Sequence, residues 1–203
     1  MGYDRLNPAI EPNLCQSATG LSVQRLHWWR YALTAAQAAA PGAATVHAAI
    51  TMQDGVAQTI TTGITQPSAP RGLSVTGGHA DCAGVVTIYG TDINDDPISE
   101  SITQSGVSTV AGVKAFKSIT SIAIPARSSA NTPTVTIGTT DVMGLPLILP
   151  AAACVFATYH NGTLEGTAAT VTVDADEISK NTADPNSANN ADHTLVFVGY
   201  IYS

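Results

Sequence analysis

From residue 45 onward the chain alternates apolar and polar side chains with a period of two. In residues 45–52, Val46, Ala48, Ile50 and Met52 alternate with Thr45, His47, Ala49 and Thr51. That is the pattern of a strand with one face in a core and the other in water. Further strands are predicted over residues 58–64, 73–76, 85–90, 98–104, 116–124, 134–137, 154–160, 170–174 and 194–202. Turn residues separate them and no helical period intervenes. The expected class is therefore all-β, a β-sandwich or jelly-roll-like domain.

Residues 1–40 break this rhythm. Pro8, Pro12 and Gly20 punctuate a first stretch of twenty residues without periodicity, which reads as an irregular arm. Val23, Leu26, Arg30 and Leu33 then fall at helical spacing, alanine becomes dense from Ala32, and Pro41-Gly42 supplies a stop. One short helix is predicted within residues 21–40. The expected organisation is an N-terminal arm over 1–40 that contacts a neighbouring surface, followed by a β domain over 41–203.

Three connections are readable. Asp92-Ile93-Asn94-Asp95-Asp96-Pro97 predicts a turn, because Asp and Asn tolerate left-handed backbone and Pro opens the next strand. Asn161-Gly162 is a strong hairpin signal. Residues 179–192, rich in Asn, Ala, Asp and Ser, predict a long exposed loop.

Composition changes the picture in one respect. The chain has 203 residues with 31 Ala, 26 Thr, 16 Val and 15 Ile, against 5% aromatics. Small side chains remove less apolar area, and each buried CH₂ contributes only about 0.8 kcal/mol. Stability is thus expected to be completed by self-association or by docking on a larger assembly. The net charge of −7 disfavours direct contact with nucleic acid. Residues 1–40 carry Arg5, Arg25 and Arg30 against Asp4 and Glu11, whereas residues 141–203 carry seven acids and only Lys180. The two ends are expected to face different surroundings. Cys15, Cys82 and Cys154 are scattered and odd in number, which argues for reduced thiols rather than a disulfide framework. The start of the sequence has no basic, apolar leader, and no segment is long enough to span a membrane, so neither secretion nor membrane insertion is expected.

Candidate chemistry is thin. Asp92, Asn94 and Asp96 have the opening spacing of a calcium loop, but Pro97 and Thr103 stand where Gly and Glu are required. Asp174, Asp176 and Glu177 read as a solvated acidic face. His79 and Cys82 share one turn, yet no second pair of ligands accompanies them. Glu100 and Glu165 as paired glycosidase carboxylates lack aromatics for a sugar platform. No nucleophile elbow and no phosphate loop is present. Asn161-Gly162-Thr163 matches a glycosylation acceptor but reads as a turn. No catalytic residue, cofactor or metal is expected, and no enzymatic role. Trp28, Trp29 and Tyr31 beside Arg25 and Arg30 are instead expected to anchor the segment to a neighbouring surface.

The run Pro70-Arg71-Gly72-Leu73-Ser74-Val75-Thr76, followed by Gly84-Val85-Val86-Thr87-Ile88-Tyr89-Gly90-Thr91-Asp92-Ile93-Asn94 and Ile98-Ser99-Glu100-Ser101-Ile102, resembles a β module of tailed-bacteriophage structural proteins. Lys114-Ala115-Phe116-Lys117-Ser118-Ile119-Thr120-Ser121-Ile122, Ile124-Pro125-Ala126 and Asp141-Val142-Met143-Gly144-Leu145-Pro146 continue it in order. The likeness extends over residues 43–203 and is best over 70–146. It implies a virion protein made in the host cytoplasm, a capsid decoration (cement) protein on the phage head surface. It further implies the major capsid protein as partner, a homotrimer as the unit, and no catalytic residue. On that expectation Arg25, Trp28, Trp29, Arg30 and Tyr31 contact the capsid, and the acidic C-terminal third faces solvent or a neighbouring copy. A tail, baseplate or head-fibre component is the alternative, and a carbohydrate-binding or adhesin-type module is a second one.

Overall fold

A computed structural model of the chain describes residues 14–16, 23–35, 44–128, 130–189 and 193–202. The N-terminal arm expected over residues 1–20 lies outside them except for residues 14–16, and so do the predicted helix stop at Pro41-Gly42 and the side chain of Arg25.

The chain is all-β. In order, the strands are β1 (Leu14–Gln16), β2 (Val23–Leu33), β3 (His47–Thr51), β4 (Gln58–Ile60), β5 (Arg71–Gly77), β6 (Val85–Thr91), β7 (Pro97–Thr103), β8 (Thr109–Phe116), β9 (Ser118–Ile124) and β10 (Thr134–Gly144). Then follow β11 (Val155–His160), β12 (Thr163–Leu164), β13 (Thr170–Thr172), β14 (Thr182–Asp184) and β15 (His193–Tyr202). Single turns of 3-10 helix occupy Ala152–Cys154 and Ile178–Lys180. They pair antiparallel into three sheets of order β1-β2-β15-β11-β12, β13-β14-β10-β5-β8 with β3 also on β10, and β4-β9-β6-β7.

Two apolar cores join these sheets in a sandwich-like arrangement. Ile50, Leu73, Val75, Val135 and Ile137 of the middle sheet meet Val86, Ile88, Ile102, Ile122 and Ile124 of the β4-β9-β6-β7 sheet. The second core packs Trp29, Tyr31, Leu33, Leu195, Phe197 and Val155 against Met143, Leu145, Leu149 and Ala183. Strand β10 serves both, giving Val135 and Ile137 to the first and Met143 to the second. Between them its register against β5 shifts, from Thr139 to Met143. Fully buried Arg71 fills this joint, donating from Nε to the Thr140 carbonyl at 3.0 Å, with Nη2 3.9 Å from Asp141 Oδ1.

The helix predicted within residues 21–40 is a strand. Trp29, Tyr31 and Leu33 are buried while Trp28, Arg30 and Ala32 are exposed, a period of two. The helical spacing of Val23, Leu26, Arg30 and Leu33 coincides with positions that a sheet places on both faces. What decides is pairing: β2 matches β15 at ten successive positions, from Leu33↔His193 to Gln24↔Tyr202. Tertiary pairing of aromatic residues overrides local helical preference. Two strands from the 1–40 segment, β1 and β2, thus form one side of a sheet whose other three strands, β15, β11 and β12, come from the 41–203 segment.

The exposed loop predicted over 179–192 is corrected in part: residues 186–188 are exposed as expected and residues 190–192 lie outside the described residues, but the rest is structured. It holds strand β14, and Ser179, Asn181, Thr182, Ala183 and Asn189 are buried. The Asn181 amide explains why a polar segment goes inside: Oδ1 accepts the Leu149 N–H, and Nδ2 donates to the carbonyls of Asp174 and Glu177. Buried amides persist where such partners are supplied. The predicted strand over 116–124 is two strands, β8 and β9, meeting at Lys117.

Candidate functional surface

The sheet β1-β2-β15-β11-β12 turns one face to the second core and the other outward. Register fixes which residues share the outer face. Arg30 lies opposite Val196, Val196 opposite Tyr159, and Tyr159 opposite Leu164, forming one row across four strands. Trp28, Val198 and Ala157 form the next row. Leu26 and Tyr200 begin a third. A register shift in β11 between Val155 and Ala157 gives Phe156 to this face. Its ring stacks on Tyr200 at 5.9 Å and 29°. Strands about 4.8 Å apart make each four-strand row roughly 14 Å wide.

An outward sheet face is ordinarily polar, with core-facing positions apolar. Here Trp28 is 60% exposed, Leu164 56% and Phe156 49%. Three large apolar side chains on one outward face depart from that rule. Arg30 is its one cation with a described side chain, and no described residue of the face is acidic.

The five residues expected to form the contact divide. Trp28 and Arg30 point outward. Trp29 and Tyr31 belong to the core. Trp29 stacks on His27 at 6.1 Å, and Gly199 leaves the space for it, since a Cβ there would lie 2.7 Å from its ring. Tyr31 Oη donates to the Gly144 carbonyl at 2.5 Å, and burial pushes its phenol well above the usual range. Arg25 pairs through its backbone with Leu14 and Ile201. Phe156, Tyr159, Leu164 and Tyr200 were not singled out by sequence. Their only sequence signals are the strands themselves and the Asn161-Gly162 turn, which the structure places between β11 and β12 with positive φ at both residues, 48° and 80°.

The polar candidates hold backbone in place. Asp92 Oδ1 accepts the N–H groups of Asn94 and Asp96 at 2.8 and 3.1 Å, as a turn requires. Asp174 Oδ1 accepts those of Asp176 and Glu177, which holds its carboxyl below the usual range. Glu177 Oε2 sits 3.1 Å from Lys114 and 3.2 Å from Lys180, and these hydrogen bonds lower its pKa. An open, acidic groove of about 570 Å³ runs between these turns, past Asp96, Asp176 and the exposed Ile148. Glu165 accepts the N–H groups of Asn186 and Ser187 and faces His160 at 3.4 Å.

Glu100 has a different task. Strand β8 carries Gly112, Val113 and Lys114 opposite the single Leu73 of β5, so their backbone is displaced from the ladder. Glu100 Oε1 accepts the N–H groups of Val113 and Lys114 at 2.5 and 3.2 Å. Its Oε2 is buried without a partner, and desolvation raises its pKa despite those bonds.

His79 Nδ1 accepts the Asp81 N–H, and Cys82 Sγ donates to the Thr134 carbonyl at 3.2 Å. Cys82 and Cys154 are buried free thiols. Among the described residues no group of three or more His, Cys, Asp or Glu is placed to hold a metal ion, and no helix is long and apolar enough to cross a membrane. Comparison of the chain with protein-family models, with curated proteins and with solved structures finds no match.

Proposed function

We propose that the chain is a non-enzymatic structural protein of a phage virion, a decoration protein that binds the head lattice through the outer face of the β2-β15-β11-β12 sheet. The observation that carries the association is the exposure of Trp28, Phe156 and Leu164 on one sheet face that would otherwise be polar. The assignment to a virion rests on the resemblance of residues 70–146 to phage structural modules. In such a lattice one modest contact repeats many times, so small site energies sum to a large stabilisation of the shell. Self-association into a homotrimer and contact with the major capsid protein belong to the same proposal.

The exposed aromatics also favour a second reading, a carbohydrate-binding module. Against it, Phe156 and Tyr200 each spend one ring face on the other, which leaves less of a platform for a sugar.

The test is the copy number of the chain in purified particles, measured by quantitative mass spectrometry against the major capsid protein, before and after tails are removed. Several hundred copies retained on tailless heads are expected. A few dozen copies lost with the tail would move the protein to a tail or fibre role, and absence from particles would reject the virion reading.

A further inference from the structure

Six basic side chains are described, and five of them are in ion pairs: Arg71 with Asp141, Arg127 with Asp54, Lys117 with Asp95, Lys114 with Glu177, and Lys180 with Asp174 and Glu177. Arg30 is the sixth. It makes no ion pair among the described residues, in a chain whose acids outnumber its bases by fifteen to eight. It also stands in the apolar row with Val196, Tyr159 and Leu164, beside Trp28.

A partner that covers this face removes water from the Arg30 guanidinium. A desolvated cation without a counter-charge is strongly unfavourable, whereas a guanidinium meeting a carboxylate through two parallel hydrogen bonds is among the stronger polar contacts. Arginine flanked by aromatics is the composition of interface hot spots. The same face of a second copy cannot supply the acid, because its described residues carry none; pairing like faces would bury both guanidiniums without a counter-charge. The chain's net negative charge likewise opposes a nucleic-acid phosphate as the counter-charge.

We infer that the occupant of this face is a different protein that presents an Asp or Glu carboxylate ringed by apolar side chains, and that Arg30 receives this carboxylate while Trp28 packs against its apolar surround. The inference rests on the association reading above and names the chemistry of the partner surface.

A photoreactive p-benzoylphenylalanine in place of exposed Ala32, two residues from Arg30 on the same face, tests it in the full chain. Irradiation is carried out in producing cells and in purified particles, and the adducts are mapped by mass spectrometry. The expected result is an adduct with one protein other than this chain, on a segment that contains Asp or Glu between apolar residues. Arg30→Met should lower the adduct yield by about tenfold or more with an unchanged melting curve, and Arg30→Lys by less, since lysine keeps the charge and loses the bidentate geometry. Adducts between two copies of the chain, no adduct at all, or equal yields from Arg30→Met and the wild type would each overturn it. An adduct of the expected chemistry on a protein that is no part of a virion would support this inference while rejecting the virion reading.

Discussion

Trp28 and Trp29 are adjacent in sequence and opposite in environment, so exchanging each for alanine separates the two faces of β2. Trp29 is 6% exposed in the second core, packed over Gly199 and stacked on His27. Truncating a buried Trp costs about 3–5 kcal/mol, from lost transfer energy and the cavity left behind. At about 2–4 °C per kcal/mol for a chain of this size, Trp29→Ala should lower the melting temperature by roughly 6–20 °C. Trp28 is 60% exposed, and its register partner Val198 is buried beside it. Trp28→Ala should therefore cost about 1 kcal/mol or less. Urea unfolding followed by circular dichroism gives both numbers. Fluorescence gives an independent reading, because the chain has two tryptophans. Trp28→Ala should leave the blue-shifted emission of a buried indole, and Trp29→Ala the red-shifted emission of an exposed one. Equal destabilisation by the two variants would refute the assignment of faces.

Tyr31 tests the joint between the outer sheet and β10. Its phenol titrates at a higher pH folded than unfolded, so its contribution is present below about pH 10 and lost as pH rises above that value. Tyr31→Phe should cost about 1 kcal/mol at pH 7 and flatten the alkaline loss of stability, measured by urea midpoints from pH 7 to 11; an unaltered alkaline limb would contradict the burial of the hydroxyl. Glu100 follows the same sign at lower pH. Its folded pKa is raised, so stability is greatest with the carboxyl protonated and falls as pH rises from about 4.5 through the folded value. The difference in stability between Glu100→Gln and the wild type should therefore move in favour of the variant between pH 4 and 7, and a constant difference would show that Glu100 ionises as it does in water.

Most of the body was legible from alternation, because strands such as β6 and β7 have one face in a core and one in water, and their side chains report this directly. Strands β1, β12 and β14 are two or three residues long, too short for a period to register. Strand β2 misled because two periods overlap in it: Leu26, Arg30 and Leu33 fit a helix, while Trp29, Tyr31 and Leu33 fit a sheet, and only the pairing with β15 decides. Half of the surface was legible for the same reason. Trp28 and Arg30 stand out in sequence, but Phe156, Leu164 and Tyr200 join them only through the pairing of β15 with β11 and with β2, the latter more than a hundred residues away. The burial of Ser179, residues 181–183 and Asn189 escaped because Asn181 and Asn189 look like loop residues until their backbone partners are in place.

The pairing of β2 with β15 sets the order in which the molecule is completed. A ribosome must add roughly 160 residues between Leu33 and the start of β15, which takes about 10–30 seconds at usual elongation rates. Closing a loop of that length costs on the order of 4–5 kcal/mol of chain entropy, which favours sealing this sheet after the rest of the body has brought its ends together. Until then Trp28 and Arg30 have no Val196, Tyr159 or Leu164 beside them. The outer face of this sheet is thus a late product of folding, and a chain that stalls or is cut before β15 lacks it. On the docking role proposed above, synthesis through β15 is the step that would separate subunits able to join an assembly from those unable to.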